Sequence, residues 1–84
     1  MAITSFNNKV AAITGAGSGM GRALAEALAS RGCHVAISDI DSDALRETQT
    51  RIESSASVGV SCHELDVSDR QQVEQFAADV VALC

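Results

Sequence analysis

The sequence contains no proline, no tryptophan and no tyrosine, and its aromatic residues are two phenylalanines. Apolar residues make up 46% of the chain but aromatic residues only 2%, so the core must be built from Ala, Val, Ile and Leu. That composition suits alternating strands and helices. Because proline-rich linkers and repeats are also absent, we expect one small domain, or part of a larger one, over residues 1–84.

Positive charge is scarce, since six basic residues stand against eleven acidic ones and the net charge is -5. The basic residues are scattered, so no cluster can hold a phosphate backbone and we expect no nucleic-acid partner. No apolar run approaches the roughly 20 residues that span a bilayer, and residues 1–9 lack the charge pattern of a signal peptide. We therefore expect no membrane contact and a cytoplasmic chain, with an organelle left open. The basic residues are Lys9, Arg22, Arg31, Arg46, Arg51 and Arg70.

The cysteines Cys33, Cys62 and Cys84 are odd in number, and no two have the Cys-x-x-Cys spacing. With His34 and His63 as the only histidines, the chain offers no typical metal-ligand set. Cys62 adjoins His63, as a nucleophile and its base would, but adjacent strand residues point to opposite faces of a sheet. We expect ordinary packing for all three cysteines and no metal site.

Short apolar segments alternate with amphipathic ones along the whole chain. Residues 9–14 form an apolar run that ends in glycines, which is typical of a strand buried on both faces. Residues 33–38 repeat this pattern and end at Asp39, and alternation over residues 58–62 predicts a third strand before residues 65–67. The order β-α-β-α-β-α predicts right-handed crossovers and a parallel sheet.

Three helices are predicted between and after these strands. The first runs from Ser18 to Arg31, with Gly32 where a left-handed cap belongs. Ser68 and Gln71 have the spacing of a capping box and predict the start of the third helix. The apolar positions at helical spacing are Met20, Leu24, Ala27 and Leu28 in the first helix, Leu45, Thr48 and Ile52 in the second, and Val73, Phe76, Ala77, Val80 and Val81 in the third.

A glycine-rich turn joins the first strand to the first helix. Glycines allow positive φ and a close approach of the backbone to a ligand, while the free N–H groups and the positive dipole end of the helix attract anionic oxygens. A Walker A loop is excluded because its lysine is absent. We expect a pyrophosphate to bind at this turn. The candidate residues are Gly15, Gly17, Ser18, Gly19, Met20 and Gly21.

The turn does not follow the general G-x-G-x-x-G fingerprint, because Met20 occupies the third glycine position counted from Gly15. The pattern that fits is Thr-Gly-x-x-x-Gly-x-Gly, with Gly15, Gly19 and Gly21 as its glycines. A tight connection without a ligand needs only one or two glycines. Four glycines within this segment therefore favour a ligand site.

An acidic residue, Asp39, closes the second strand. Ligands of open α/β sheets bind outside the carboxyl ends of the strands, and Asp39 lies near the offset of about 20 residues expected for a ribose ligand. Its carboxylate can accept from both ribose hydroxyls and would repel a 2′-phosphate. Asp39, followed by Ile40, therefore predicts NAD in preference to NADP, and Ser18 in the turn supplies no cation for that phosphate. Asp41 and Asp43 fall where the second helix begins, which favours a capping role.

Asp66 closes the third strand in the same way. Its carboxylate can accept from an adenine amino group while the Val67 backbone meets the ring, although a loop aspartate without a ligand is an open alternative. Arg22 follows the turn directly. It is either a phosphate ligand or a solvent-facing helix residue, and the sequence favours neither.

Together these residues resemble the short-chain dehydrogenase/reductase family. Residues 14–21 resemble its cofactor glycine motif, Asp39 its NAD-selecting acid, and Asp66 with Val67 its adenine-contacting pair. The resemblance spans essentially the whole chain. It implies a Rossmann-like doubly wound parallel sheet in which residues 1–84 form a single, incomplete NAD(P)-binding domain. It also implies an oxidoreductase that moves a hydride between nicotinamide and a hydroxyl or carbonyl carbon.

By the same resemblance, the catalytic residues lie further along than this sequence reaches. The family's Tyr-x-x-x-Lys pair has no counterpart, because tyrosine is absent and the one lysine, Lys9, precedes the first strand. We expect a natural truncation, a splice product or a gene-model fragment that is inactive alone for want of a proton donor. We also expect it to be marginally stable, since the first strand would leave an open apolar edge.

Two other functions stay open. An S-adenosylmethionine methyltransferase half would also place Gly15, Gly17 and Gly19 after a strand, and it predicts adenosylmethionine binding without NAD binding. Gly21, with a helix that starts directly beneath the turn, favours the dehydrogenase. A non-catalytic module could instead form a homo-oligomer or pair with a full-length relative through its open edge, and would then co-purify with that relative.

Overall fold

The computed structural model describes residues 9–83. Within them, strands and helices alternate and the strands pair in parallel in the order β1-β2-β3. The predicted β-α-β-α-β-α order and parallel sheet are confirmed, and they form a Rossmann-like α/β arrangement. The elements are β1 (Val10–Thr14), α1 (Gly19–Ser30), β2 (His34–Asp39), α2 (Ser42–Ser55), β3 (Val60–Glu64) and α3 (Arg70–Leu83).

The central strand β2 aligns the ends of its neighbours. In its register, Ser38 lies opposite Thr14 of β1, and Asp39 lies opposite Glu64 of β3. Because the three strands run in the same direction, the segments that follow them meet at one edge of the sheet. This carboxyl edge is where ligands of open α/β sheets bind.

Helices cover both faces of the sheet, which explains why every residue of β2 between His34 and Asp39 is buried. On one face, α1 and α2 enclose the larger core, and on the other face α3 contacts a smaller one. Fully burying a side chain such as Ile37 or Ile52 contributes about 1.5–3 kcal/mol. The larger core contains Ile13, Ala16, Ala25, Ala29, Val35, Ile37, Leu45 and Ile52, and the smaller one contains Ala36, Leu65 and Phe76, with Val80 packed against it.

The buried face of α1 differs from the predicted one. Ala25 and Ala29 are buried, whereas Met20 and Leu24 are 88% and 49% exposed and Ala27 is also exposed. Alanines four residues apart share one face of a helix, and their small side chains let that face lie close to the sheet. The prediction was right for Leu28, which packs against the larger core, and wrong for Met20, Leu24 and Ala27.

The other two helices follow the prediction more closely. Leu45, Thr48 and Ile52 of α2 are all buried, as expected. In α3, Phe76 is buried and Val80 packs against the core, but Val73, Ala77 and Val81 are exposed. No helix in the described part of the chain is long and apolar enough to cross a membrane.

Asp69 caps α3, and the predicted capping box of Ser68 and Gln71 is wrong. The Asp69 carboxylate accepts from the N–H groups of Gln71 and Gln72 at 3.0 and 3.3 Å. Ser68 instead donates its N–H and its hydroxyl to Asp66, at 2.9 and 2.7 Å. The helix therefore begins one residue later, because Ser68 is bonded to Asp66 and Asp69 caps in its place.

The cysteines differ in environment. Cys33 is 1% exposed, and burial raises the pKa of its thiol, so its predicted packing role is confirmed. Cys62 is exposed and the packing prediction is wrong for it, while Cys84 lies outside the described residues. The ring of His63 meets Phe76 of α3 edge-on at 4.9 Å between centroids. Cys62 lies near charged residues of α2, so it and its neighbour occupy opposite faces, as expected.

Candidate functional site

The glycine turn lies at the carboxyl edge, and its glycines meet two different requirements. Gly15 and Gly19 have φ values of 68° and 59°, which residues with a Cβ rarely adopt. At Gly21, a Cβ would lie 2.1 Å from the carbonyl oxygen of Gly15, and at Gly17 it would lie 2.7 Å from Oδ2 of Asp39. The turn therefore needs glycine for its conformation at two positions and for close approach at the other two.

The start of α1 is chemically suited to an anion. Ser18 precedes the helix in an extended conformation, and its side chain makes no capping hydrogen bond within residues 9–83. The first turn of α1 also carries no acidic residue in this described helix. The first N–H groups and the positive dipole end are thus left for another acceptor, as at helix starts that bind phosphate.

Asp39 is held against the turn by backbone hydrogen bonds. Its Oδ1 accepts from the N–H of Asp41 at 3.0 Å and its Oδ2 from the N–H of Gly17 at 2.8 Å. The N–H of Asp41 does most to lower the pKa of the Asp39 carboxyl, with help from those of Gly17 and Ile40 and against the effect of partial burial. Asp39 is therefore ionised at neutral pH, and each oxygen keeps acceptor capacity for ligand hydroxyls.

The neighbouring acids have a different role. The Asp41 carboxylate accepts from the N–H groups of Asp43 and Ala44, both at 3.1 Å, and so caps α2. Asp43 lies in the first turn of that helix. The capping interpretation is confirmed for Asp41, and Asp43 lies in the first helical turn as predicted, which leaves Asp39 as the acid that faces the glycine turn.

Asp66 does not close β3, which ends at Glu64, but anchors the segment between β3 and α3. Its carboxylate accepts from the hydroxyl and the N–H of Ser68, and these two bonds lower the pKa of the Asp66 carboxyl. Its own N–H donates to Oε1 of Gln72 at 2.9 Å. These bonds agree with the loop-aspartate alternative that the sequence left open, and the contact with adenine stays a prediction.

Arg22 is not the solvent-facing residue that the sequence left as one of two alternatives. Its side chain is only 17% exposed and crosses to α2, where Nε donates to Oγ1 of Thr48 at 2.8 Å. Its Nη2 donates to the carbonyl oxygens of Gly17 and Ala44, and it pairs with Glu47 at 3.4 Å. The sequence analysis assigned Thr48 to the buried stripe of the second helix but missed its hydrogen bonds to the turn and to Arg22. The available signal was a hydroxyl among otherwise apolar residues.

Three of the predicted site residues are apolar and exposed. Ile40, Val67 and Met20 are 65%, 65% and 88% exposed, and each lies at or just after a strand end or in the turn. Single exposed apolar residues are common on proteins. Here they gather with the turn and the two acids on the carboxyl edge, which supplies apolar surface beside polar groups as ligand sites require.

Acidification is expected to weaken this arrangement through Asp39. Because the folded pKa is lower than the unfolded value of about 3.9, ionised Asp39 adds stability that is fully present above that value and is lost as the pH falls through the folded pKa. Urea midpoints of wild type and Asp39→Asn should therefore differ most at pH 6 and converge towards pH 3. A difference that stays constant over this range would contradict the assignment.

The fold and the site define a class of protein. A glycine turn leads from the first strand of a parallel sheet into an uncapped helix start, and an ionised carboxylate closes the next strand. This is the arrangement of dinucleotide-binding α/β domains of the Rossmann type.

Comparison with known proteins identifies the family. The sequence model of the protein family described as short chain dehydrogenase matches residues 9–84. The chain therefore belongs to the short-chain dehydrogenase/reductase family. The resemblance inferred from the glycine motif and the two strand-end acids is thereby confirmed, in preference to the methyltransferase alternative.

Relatives share nearly all of this chain but are much longer. The putative oxidoreductase SadH of Mycobacterium tuberculosis is 45% identical over 80 residues, which cover 95% of this chain and 29% of the relative. The uncharacterized oxidoreductase YxbG of Bacillus subtilis is 43% identical over 79 residues, which cover 94% and 29%. The chain therefore spans less than a third of the length of these relatives.

Solved structures of the family match the fold closely. A short chain dehydrogenase/reductase from Burkholderia phymatum in complex with NAD has a TM-score of 0.87 and 38% identity, over 96% of this chain and 28% of its own. L-Sorbose reductase from Gluconobacter frateurii, complexed with NADPH and L-sorbose, has a TM-score of 0.87 and 30% identity, over 94% and 30%. One of these neighbours therefore holds NAD and the other NADPH.

Proposed function

We propose that this chain binds NAD as the amino-terminal part of a hydride-transferring oxidoreductase. One observation carries the proposal: the ionised carboxylate of Asp39 lies against Gly17, at the end of β2 and beside an uncapped helix start. In this proposal, the carboxylate accepts from the ribose hydroxyls and the neighbouring N–H groups donate to the phosphate oxygens. Residues 1–84 would then be part of a single NAD(P)-binding domain.

The residues of the carboxyl edge fit the parts of a dinucleotide. The turn offers N–H groups for the pyrophosphate, the end of β2 offers a carboxylate for the adenosine ribose, and the end of β3 offers an acid and an apolar residue for adenine. A Cβ at Gly17 would lie 2.7 Å from Oδ2 of Asp39, so the turn and the carboxylate proposed to bind the ribose form one continuous surface. The assigned residues are Gly15, Gly17, Ser18, Gly19, Met20 and Gly21 for pyrophosphate, Asp39 and Ile40 for ribose, and Asp66 and Val67 for adenine.

Electrostatics favour NAD over NADP. A 2′-phosphate carries up to two negative charges and would meet the carboxylate of Asp39 at short range. Arg22, the basic residue nearest to the turn in sequence, is unsuited to offset this charge. Its guanidinium is already bonded to Gly17 and Ala44 and paired with Glu47.

The hydride chemistry belongs to the complete enzyme in this proposal. Nicotinamide supplies or accepts the hydride, and the present residues bind and orient the cofactor. The sequence has no tyrosine to serve as the family's proton donor. We therefore expect the 84-residue chain to bind the cofactor without turning over a hydroxyl or carbonyl substrate.

Calorimetric titration with NAD, NADP and S-adenosylmethionine tests the proposal. We expect NAD to bind at least about tenfold more tightly than NADP, which corresponds to about 1.4 kcal/mol. Asp39→Ala should narrow this gap, because it removes both the ribose acceptor and the repulsion of a 2′-phosphate. Asp43→Ala is the matched control, since Asp43 lies four residues away in the first turn of α2, and it should leave the gap unchanged.

Three results would count against the proposal. Equal affinity of wild type for NAD and NADP would contradict the role of Asp39. Binding of adenosylmethionine without NAD would favour the methyltransferase alternative. Co-purification with a longer relative, in the absence of any dinucleotide binding, would favour a non-catalytic pairing module.

A further inference from the structure

A buried polar network lies behind the glycine turn, on the side of α2. Thr48 is fully buried, and its Oγ1 donates to the carbonyl oxygen of Ala16 at 2.8 Å while it accepts from Nε of Arg22 at 2.8 Å. The guanidinium also reaches the carbonyl oxygens of Gly17 and Ala44. We call the side chains of Arg22 and Thr48 the brace.

The brace holds two consecutive peptide groups of the turn. In a trans peptide the C=O and the following N–H point in opposite directions. With the Ala16 oxygen bonded to Thr48, the N–H of Gly17 points away from α2 and donates to Oδ2 of Asp39. With the Gly17 oxygen bonded to Arg22, the N–H of Ser18 is likewise directed away from the guanidinium.

Arg22 also decides where the Thr48 hydroxyl donates. Thr48 has a second acceptor within reach, the carbonyl oxygen of Ala44 at 3.3 Å, which lies one turn earlier in α2. A threonine within a helix commonly bonds to that position. Here Nη2 of Arg22 already donates to the Ala44 oxygen at 3.2 Å, and Nε approaches the hydroxyl itself. The hydroxyl proton is thereby left for Ala16.

We propose that Arg22 and Thr48 are positioning residues of the dinucleotide site, which preset the peptide groups of the turn without touching the ligand. This inference rests on the proposed function. It also explains why arginine suits this position: its planar fork donates from two separate nitrogens, Nε to Thr48 and Nη2 to the turn and α2, whereas lysine carries all its donors on one nitrogen. A lysine at this position would keep the positive charge but could not make the same set of hydrogen bonds.

Affinity for NAD provides the first test. Thr48→Val keeps the shape but removes the hydroxyl, and we expect about tenfold weaker binding, the size of one lost hydrogen bond. Thr48→Ser should restore binding to near the wild-type value. Arg22→Lys should also weaken binding about tenfold although the charge is kept. The matched controls are Thr50→Val and Arg46→Lys. Both positions are exposed on α2, the helix that carries Thr48, and their substitution should leave the affinity for NAD unchanged.

The amide resonance of Gly17 provides a second test that needs no ligand. Its N–H donates to a carboxylate, so its proton shift in the free chain reports the length of that bond. We expect Thr48→Val and Arg22→Lys to move this resonance upfield, whereas Thr48→Ser and Thr50→Val should not. A general loss of stability would not move it selectively.

The two tests separate the brace from the proposed function. If wild type binds no dinucleotide, the proposed function fails while the Gly17 resonance still decides the inference. If Arg22→Lys binds NAD with wild-type affinity and leaves the Gly17 resonance unchanged, the inference is overturned. Only the positive charge of Arg22 would then matter. Should Thr48→Val fail to fold, Arg22→Lys and Arg22→Gln, which leave the apolar core intact, carry the decision with the same expected results.

Discussion

Replacing Gly21 with alanine is expected to destabilise the chain by about 3 kcal/mol, at the upper end of the cost of overpacking. The added Cβ would lie 2.1 Å from the carbonyl oxygen of Gly15, 2.8 Å from its carbonyl carbon and 3.1 Å from Cα of Ala16. All three atoms are backbone, so no side chain can swing aside. Either the first turn of α1 or the start of the glycine turn must move.

Chemical denaturation of the wild type and two variants measures this cost. Gly19→Ala is the matched control, because Gly19 has a φ of 59° but nothing within 4 Å of an added Cβ. Its substitution should cost only the conformational strain of about 1–2 kcal/mol. A loss of stability for Gly21→Ala no larger than that for Gly19→Ala would contradict the close approach as the reason for this glycine.

Replacing Gly17 with alanine is expected to weaken NAD binding about 100-fold, or about 2.7 kcal/mol. The new Cβ would lie 2.7 Å from Oδ2 and 2.9 Å from Cγ of Asp39, and 3.0 Å from Cβ of Ala44. The nearest atoms belong to a side chain that can rotate away, so the fold should survive. The carboxylate would, however, leave the position in which it faces the ribose.

A double-mutant cycle distinguishes this mechanism from a general disturbance of the turn. In an Asp39→Ala background the two contacts with the carboxylate are relieved and only the one with Cβ of Ala44 stays, so the further loss from Gly17→Ala should be smaller, with a coupling of at least about 1 kcal/mol. Gly59→Ala is the control, because Gly59 precedes β3 at the amino edge, where its added Cβ would meet His34 at 3.2 Å. Additive losses for Gly17 and Asp39 would contradict the contact between them.

Local patterns in the sequence predicted the parts of the site that depend on chain order. A strand that ends in glycines, followed by a helix, must place those glycines at the carboxyl end of the strand. In a parallel sheet, the residues that close neighbouring strands then meet at the same edge. This is why Gly15, Asp39 and Asp66 could be selected as candidates before any contact was known.

The contacts that arrange those candidates could not be predicted in the same way. The choice between Ala25 and Leu24 as the buried residue of α1 depends on how closely the helix approaches the sheet, which periodicity does not encode. The direction of the Arg22 side chain depends on α2, whose acceptor atoms lie more than 20 residues away in the chain. The cap of α3 depends on whether Ser68 is free to cap, and it is bonded to Asp66.

The sequence by itself determined the order of strands and helices, the glycine turn and the acids at the strand ends, because hydrophobic periodicity and glycine placement act between residues close in the chain. Only the tertiary structure decided that Asp39 is bonded to Gly17 and that Arg22 and Thr48 hold the turn from behind. These bonds join segments that are distant in sequence. They form only once β2 and α2 have packed beside the turn, since packing brings the donors within reach of their acceptors.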